Sequence, residues 1–262
     1  MNAPDTSPDL GRVRRMEAVA FRSFPATTTY FDGTWAIRLT AGHPAKRLNS
    51  VNPLDPSDTA DLSERIETAA RRFEAYGRPL IFRHSPLAPK ALESLLEERG
   101  WKRFEESLVM TGDLKSMPLA DAVDRVPLQD TVAWVDAADE LEGGSSGHET
   151  NKNRAGLLEV ISHIEAEVGL FALFDQDGAP LSVVRCVRDR ELAGIFDLAT
   201  HEDHRREGHG AAVLKSALKW ASGRGATTAW LQVVADNAPA VALYRLLGFE
   251  EIYRYTYLGA SR

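Results

Sequence analysis

The chain reads as an α/β (α+β) protein in which one unit, a mixed and mostly antiparallel sheet flanked by helices, is written twice. Three observations carry that reading. Short apolar runs of strand character are interleaved with amphipathic helical segments along the whole chain. Two helix-ending glycines, Gly77 and Gly100, recur as Gly225 and Gly248 at a constant offset of 148 residues, which also carries Phe249 onto Trp101. Finally, 262 residues suit two domains better than one. The boundary is expected near residue 116, giving domains 1–116 and 117–262.

In order, residues 1–10 are polar and read as a frayed tail with no secretory pattern. Residues 11–24 read as a helix, and 30–35 as strand, Asp-Gly turn, strand. Residues 46–53 form a polar strand running into a proline-rich loop. Residues 61–76 are helical, with Leu62, Ile66, Ala69, Ala70 and Phe73 on one face and Gly77 as the stop. A short buried strand at 80–82, a helix at 89–99 ended by Gly100, and a strand at 104–111 complete the first unit. Proline-bearing residues 112–128 read as a linker and 131–141 as an amphipathic segment. Residues 142–151, rich in glycine and serine, read as a mobile loop that carries His148 and Glu149. The second unit then runs as a helix at 157–167 and strands at 170–174, 181–187 and 192–200. A helix at 211–222, a strand at 227–234, a helix at 238–247 and a last strand at 250–258 follow.

Composition narrows the function. No apolar run is long enough to span a membrane. A formal charge of −7 argues against binding nucleic acid through bulk charge and suits a positively charged acceptor such as an amine. The one cysteine, Cys186, excludes an intrachain disulfide framework and fits a cytoplasmic setting. Its apolar-alternating surroundings point to a structural thiol rather than a nucleophile.

The chemistry concentrates in Arg205-Arg206-Glu207-Gly208-His209-Gly210, which follows the 192–200 strand and opens the helix starting at Ala211. Two glycines one residue apart allow a tight turn and leave amide N–H groups facing outward at a helix start, a seat for a phosphate. The stretch lacks the Gly-Lys-Ser/Thr end of a Walker loop. It resembles the Arg/Gln-x-x-Gly-x-Gly/Ala pyrophosphate loop of the GNAT (GCN5-related) N-acyltransferases. A second stretch, Asn237-Ala238-Pro239-Ala240-Val241-Ala242-Leu243-Tyr244-Arg245-Leu246-Leu247-Gly248-Phe249, resembles the GNAT segment Asn-x-x-Ala-x-x-Leu-Tyr-x-x-x-Gly-Phe. The order and separation of the two stretches are also those of the family.

The resemblance implies two tandem GNAT-like domains. It also implies acetyl-CoA as co-substrate, no metal, and transfer of acetyl to a small-molecule or peptide amine by direct attack. It makes Leu198, Ala199, Thr200, Arg205, Arg206, Glu207, Gly208, His209, Gly210, Ala211, Asn237 and Tyr244 the cofactor side. Tyr244 becomes the group that protonates the leaving thiolate, a role a phenol of pKa near 10 suits. From the residues alone, Asn237 is a helix N-cap and Tyr244 one more apolar-face side chain, and these readings are compatible with the first. Asp197 is the nearest acidic candidate for a base or water holder, or else a carboxylate bonded to neighbouring backbone. His201, His204 and His209 suggest solvated loop histidines rather than a metal site.

Under the 148-residue offset the phosphate loop lands on Ser57-Asp58-Thr59-Ala60-Asp61-Leu62, which has no glycine and two carboxylates that repel a diphosphate. Asn237 and Tyr244 land on Pro89 and Leu96. The first copy is therefore expected to be degenerate and catalysis to belong to the second. Arg47, Asn49 and Asn52 fall opposite Ile195, Asp197 and Thr200. They either face a cleft between the halves, touching acceptor, or serve turn formation. A non-catalytic acyl-CoA sensor or interaction protein on the same fold is the competing function, and the sequence leaves the oligomeric state open.

Overall fold

The computed structural model describes residues 8–142 and 148–260. Helix α1 (Leu10–Ser23) starts on the Asp9 side chain, which accepts from the Gly11 and Arg12 amides. Strands β1 (Thr28–Asp32) and β2 (Trp35–Leu39) form the expected hairpin, turning at Gly33 with φ 55°. β3 (Ser50–Pro53) begins later than expected, because a 3-10 turn at Lys46–Leu48, closed by the Leu48 amide on the Ala45 carbonyl, precedes it. Next come α2 (Leu62–Ala75), β4 (Ile81–His84), α3 (Lys90–Glu98) and β5 (Trp101–Asp113).

Helix α4 (Thr131–Leu141) is capped by Asp130, and α5 (His148–Ser162) follows. The expected loop at 142–151 thus gives way to helix from His148 onward, while residues 143–147 lie outside the described residues, as do residues 1–7 of the expected tail. The second unit continues with β6 (Glu167–Phe174), β7 (Pro180–Asp189), β8 (Leu192–Thr200), α6 (His209–Gly223), β9 (Thr228–Val234), α7 (Ala238–Leu246) and β10 (Glu250–Ala260). Moved by 148 residues, α3 coincides with α7 and the end of α2 with the end of α6.

The ten strands of the described residues form one sheet in the order β1-β2-β3-β4-β10-β5-β9-β8-β7-β6. The last strand of each unit is exchanged. β5 lies antiparallel on β9 of the second unit, and β10 lies antiparallel on β4 of the first. β5 and β10 pair with each other at the centre, from Glu250 opposite Thr111 to Ala260 opposite Trp101. A cut at residue 116 therefore separates each half-sheet from the strand that completes it.

Strand alternation sends successive side chains to opposite faces. Leu231 packs with Val213, Leu214, Ala217 and Leu247 under α6 and α7, whereas its neighbour Trp230 packs with Val13, Met16 and Val19 of α1. Phe82 and Leu258 likewise meet α2 and α3, and Ile81 and Tyr257 meet α1. Helices α4 and α5 cover Leu170 and Val183 on the α1 side. The segment read as a linker is packed rather than loose. Leu114 and Met117 join the α6 core, and Lys215 holds Asp121 at 2.8 Å. Cys186 is wholly buried, and burial pushes its thiol up to about 12, as a structural role requires.

Candidate active site

The site begins where two parallel strands part. β8 and β9 are paired from Leu192 opposite Thr228 to Ile195 opposite Leu231, and no further. On its other edge β8 carries a bulge: Arg185 faces Phe196, Val183 faces Ala199, and Asp197 and Leu198 together stand against one residue of β7. Asp197 takes the left-handed conformation there, with φ 52°. The bulge bends β8 away from β9 and leaves a gap between them.

Helix α6 starts at that gap. Its N-cap is Gly208 at φ 89°, no side chain caps its first amides, and Arg206 before it is also left-handed at φ 67°. Left-handed residues alternating along such a turn curl backbone N–H groups into an anion-binding concavity, to which the helix dipole adds. Gly210 sits tightly against β8, since a Cβ there would lie 2.9 Å from Thr200 Oγ1. The gap and the helix start open into a cleft of about 1290 Å³.

Of the residues singled out in the sequence, Leu198, Ala199, Thr200, Arg205, Arg206, Gly208, His209, Gly210, Ala211 and Asn237 line this cleft. Arg205 and Arg206 are exposed and have no carboxylate partner among the described residues. Asn237 caps α7, its Oδ1 accepting from the Ala240 amide at 3.2 Å. Three residues are placed differently. The Glu207 carboxylate meets His204 Nδ1 at 3.0 Å and His209 Nε2 at 3.2 Å, and stands outside the lining. The ligating atoms of His204, Glu207 and His209 lie within 4.8 Å of one another, close enough to share a cation. Tyr244 is buried against Phe249, one helical turn from the lining residue Ala240, and burial pushes its phenol up to about 12. Asp197 is not free: its Oδ2 accepts from Arg185 Nε at 2.7 Å.

Sequence reasoning missed Leu141, Glu142, Glu202, His204, Pro239, Ala240 and Leu243 as lining residues. Proximity to the two motifs could have found all but the first pair, which arrive from α4 across the sheet. Glu142 reaches solvent, yet crowding around its carboxyl, then the charges of Asp197 and Asp139, raise its pKa.

The first copy presents a contrast at the equivalent place. α2 is also reached through a left-handed residue, but this is Asp61, at φ 51°. Asp58 fills the neighbourhood, accepting from Arg65 Nη1 at 2.8 Å and from Thr34 Oγ1 at 2.6 Å. The Arg65 guanidinium there is already paired with an internal carboxylate.

The family described as "Probable histone acetyltransferase Rv0428c C-terminal" matches residues 11–258. The chain belongs to this family of GNAT N-acetyltransferases. The acetyltransferase is 26% identical over 250 residues to the "Uncharacterized N-acetyltransferase YobR" of Bacillus subtilis, covering 94% of this chain and 97% of that protein. Over 73 residues, 28% of this chain and 48% of the relative, it is 40% identical to the ribosomal protein bS18-alanine N-acetyltransferase of Escherichia coli. A GCN5-related N-acetyltransferase from Kribbella flavida shares the fold with a TM-score of 0.69 at 20% identity, over 95% of both chains. A tandem GNAT protein from the clavulanic acid biosynthesis pathway does so at 0.66 and 17% identity, over 93% of this chain and 86% of that one. Among the described residues of the acetyltransferase, no helix is long and apolar enough to cross a membrane.

Proposed function

We propose that the second unit binds acetyl-CoA in the β8–β9 cleft and passes the acetyl group to an amine by direct attack. The observation that carries this reading is the uncapped, left-handed start of α6 opening onto the gap where the β8–β9 ladder stops. The residues there fit the group: free amides and two unpaired arginines suit a diphosphate, and Gly210 leaves room against Thr200. The first copy, with Asp58 and Arg65 closed on each other, holds no cofactor.

Bound acetyl-CoA supplies a thioester that a neutral amine can attack. The chain's part is to hold and to move protons. Amides of residues 208–211 with Arg205 and Arg206 take the diphosphate, and the backbone of residues 198–200 lines the path of the pantetheine arm. Tyr244, kept protonated by burial, gives its proton to the leaving thiolate, and the proton shed by the acylated nitrogen restores the phenol. Glu142 takes the proton of the incoming ammonium, the task expected of Asp197. A carboxyl of raised pKa in the cleft wall suits a base better than one paired to a guanidinium. The activity of the Escherichia coli relative on a ribosomal-protein alanine keeps a peptide amine in view beside small-molecule amines.

An assay of thiol release from acetyl-CoA with a panel of amines tests the reading. Release that depends on both amine and acetyl-CoA, and is lost in Gly208→Val, is the expected outcome. Acetyl-CoA binding without release from any amine would instead favour a sensor.

A further inference from the structure

Between α1 and the sheet, where the two units meet, lies a second cavity of about 10 Å³, the room one water needs. Arg38 of β2, Asn52 of β3, Arg83 of β4, Phe196 of β8 and Gln232 of β9 contribute to its wall. Arg83 is 3% exposed. Its Nη1 donates to Glu17, while its Nε and Nη2 have no hydrogen-bond partner among the described residues. Those two nitrogens form one edge of the guanidinium, a pair of N–H donors that a single acceptor oxygen can share. The plane is held by Tyr255, whose ring centroid lies 3.6 Å from Arg83 Cζ.

The charges around the cavity do not balance. Arg38, equally buried, donates to the carbonyls of Arg47 and Phe24. Among the described residues Glu17 is the carboxylate bonded to this group; it pairs with Arg83, accepts through Oε1 from the Tyr253 hydroxyl at 2.6 Å, and forms no ion pair with Arg38. Burial, then the charge of Arg83, push Arg38 down to about 9, which still leaves it cationic at neutral pH. Buried cations without counter-charge are costly, and an arriving anion relieves the cost. The cavity also adjoins the chemistry. Phe196 lines it, and Leu198, two residues along β8 and past the left-handed Asp197 of the bulge, lines the cofactor cleft.

We propose that this cavity seats a carboxylate of the acceptor, so that the substrate is an amine that also carries a carboxylate, as an amino acid or a peptide C-terminal residue does. The inference rests on the amine transfer proposed above. One carboxylate oxygen fills the space of one water, between the free edge of Arg83 and Arg38. Arg47 and Phe21, both partly exposed, form the outer wall through which the rest of the acceptor extends.

Matched acceptors test it: amino acids against their amides and against the corresponding decarboxylated amines. The carboxylated member should have at least a tenfold higher kcat/KM, carried by KM. Arg83→Lys keeps a charge beside Glu17 but loses the paired edge, and should raise KM for carboxylated acceptors until the ratio nears one. Gln232→Glu, at a partly exposed position outside the Glu17 pair, sets a like charge in the cavity and should do the same even where Arg83→Lys fails to fold. Equal kcat/KM for carboxylated and amidated acceptors overturns the carboxylate site and leaves amine transfer standing. Should no amine be acetylated, amine transfer falls and binding decides the cavity. N-acetyl amino acids should then raise Tm where their amides do not, and Gln232→Glu should remove the difference; no difference overturns the inference. Formate raising Tm as far as an N-acetyl amino acid assigns the cavity to a free anion, and also overturns it.

Discussion

The carboxylate of Asp197 is tied to the guanidinium of Arg185, whose Nε donates to it over 2.7 Å while the arginine side chain is wholly buried. Asp197 is also the left-handed residue of the β8 bulge, so this ion pair anchors the bend that opens the cleft. Asp197→Asn leaves a buried charge without its counter-charge, and should cost about 3 kcal/mol. Urea unfolding measures it. A lowered turnover at an unchanged unfolding midpoint would instead mark Asp197 as a base.

A Cβ at Gly210 would lie 2.9 Å from Thr200 Oγ1, so a side chain there must displace the threonine side chain or move α6 from β8. Gly210→Val should therefore lose the cofactor-dependent rise in stability, which at a hundredfold excess over Kd is about 2.7 kcal/mol for the wild type. Thermal unfolding with and without acetyl-CoA reads it out. Full stabilisation in the variant would place the diphosphate elsewhere.

Tyr244 is buried, and its ring meets Phe249 edge-on at 5.8 Å, so Tyr244→Phe preserves the packing and removes only the hydroxyl. The variant should bind acetyl-CoA as the wild type does and turn over at least about tenfold more slowly. Unchanged kcat would remove the tyrosine from the proton path.

His43 sits edge-on to Phe24, and its Nδ1 accepts from the Ala45 amide at 3.2 Å, which needs the neutral ring. Burial pulls its pKa from 6.5 down to about 4, so the folded state resists a proton that the unfolded state takes. The stabilisation is complete above pH 6.5 and is lost as pH falls through about 4. Its size is on the order of 2 kcal/mol after allowance for partial solvent screening. His43→Gln should flatten the dependence of unfolding free energy on pH between 6.5 and 4. An equally steep curve in the variant would assign the slope to other groups.

Much of the fold was legible because its signals are local. Asp9, Asp130 and Asn237 are N-caps, Gly77, Gly100, Gly225 and Gly248 follow helices at positive φ, and each acts within a few residues of itself. That the glycine-rich loop at residues 205–210 borders a cleft was legible for the same reason, and five of its six residues line that cleft. The readings that changed were those that depend on distant partners. Residues 46–48 have strand composition but turn against Ala45, and Leu114 and Met117 of the presumed linker find a hydrophobic core waiting under α6.

The order of elements, the repeat, and the glycine-rich start of α6 with its absence from the first copy were all determined by residues that lie next to one another along the chain. Tertiary structure alone decided that β5 and β10 change places, that Arg185 claims Asp197, and that Glu142 enters the cleft wall. Arg38 and Arg83 likewise converge on one cavity only because β2 and β4 flank β3 in the sheet. Backbone turns and caps are encoded by local sterics and hydrogen bonding. Which charge meets which, and which strand completes which sheet, depends on contacts between residues as much as about 180 positions apart, and no spacing along the chain records them.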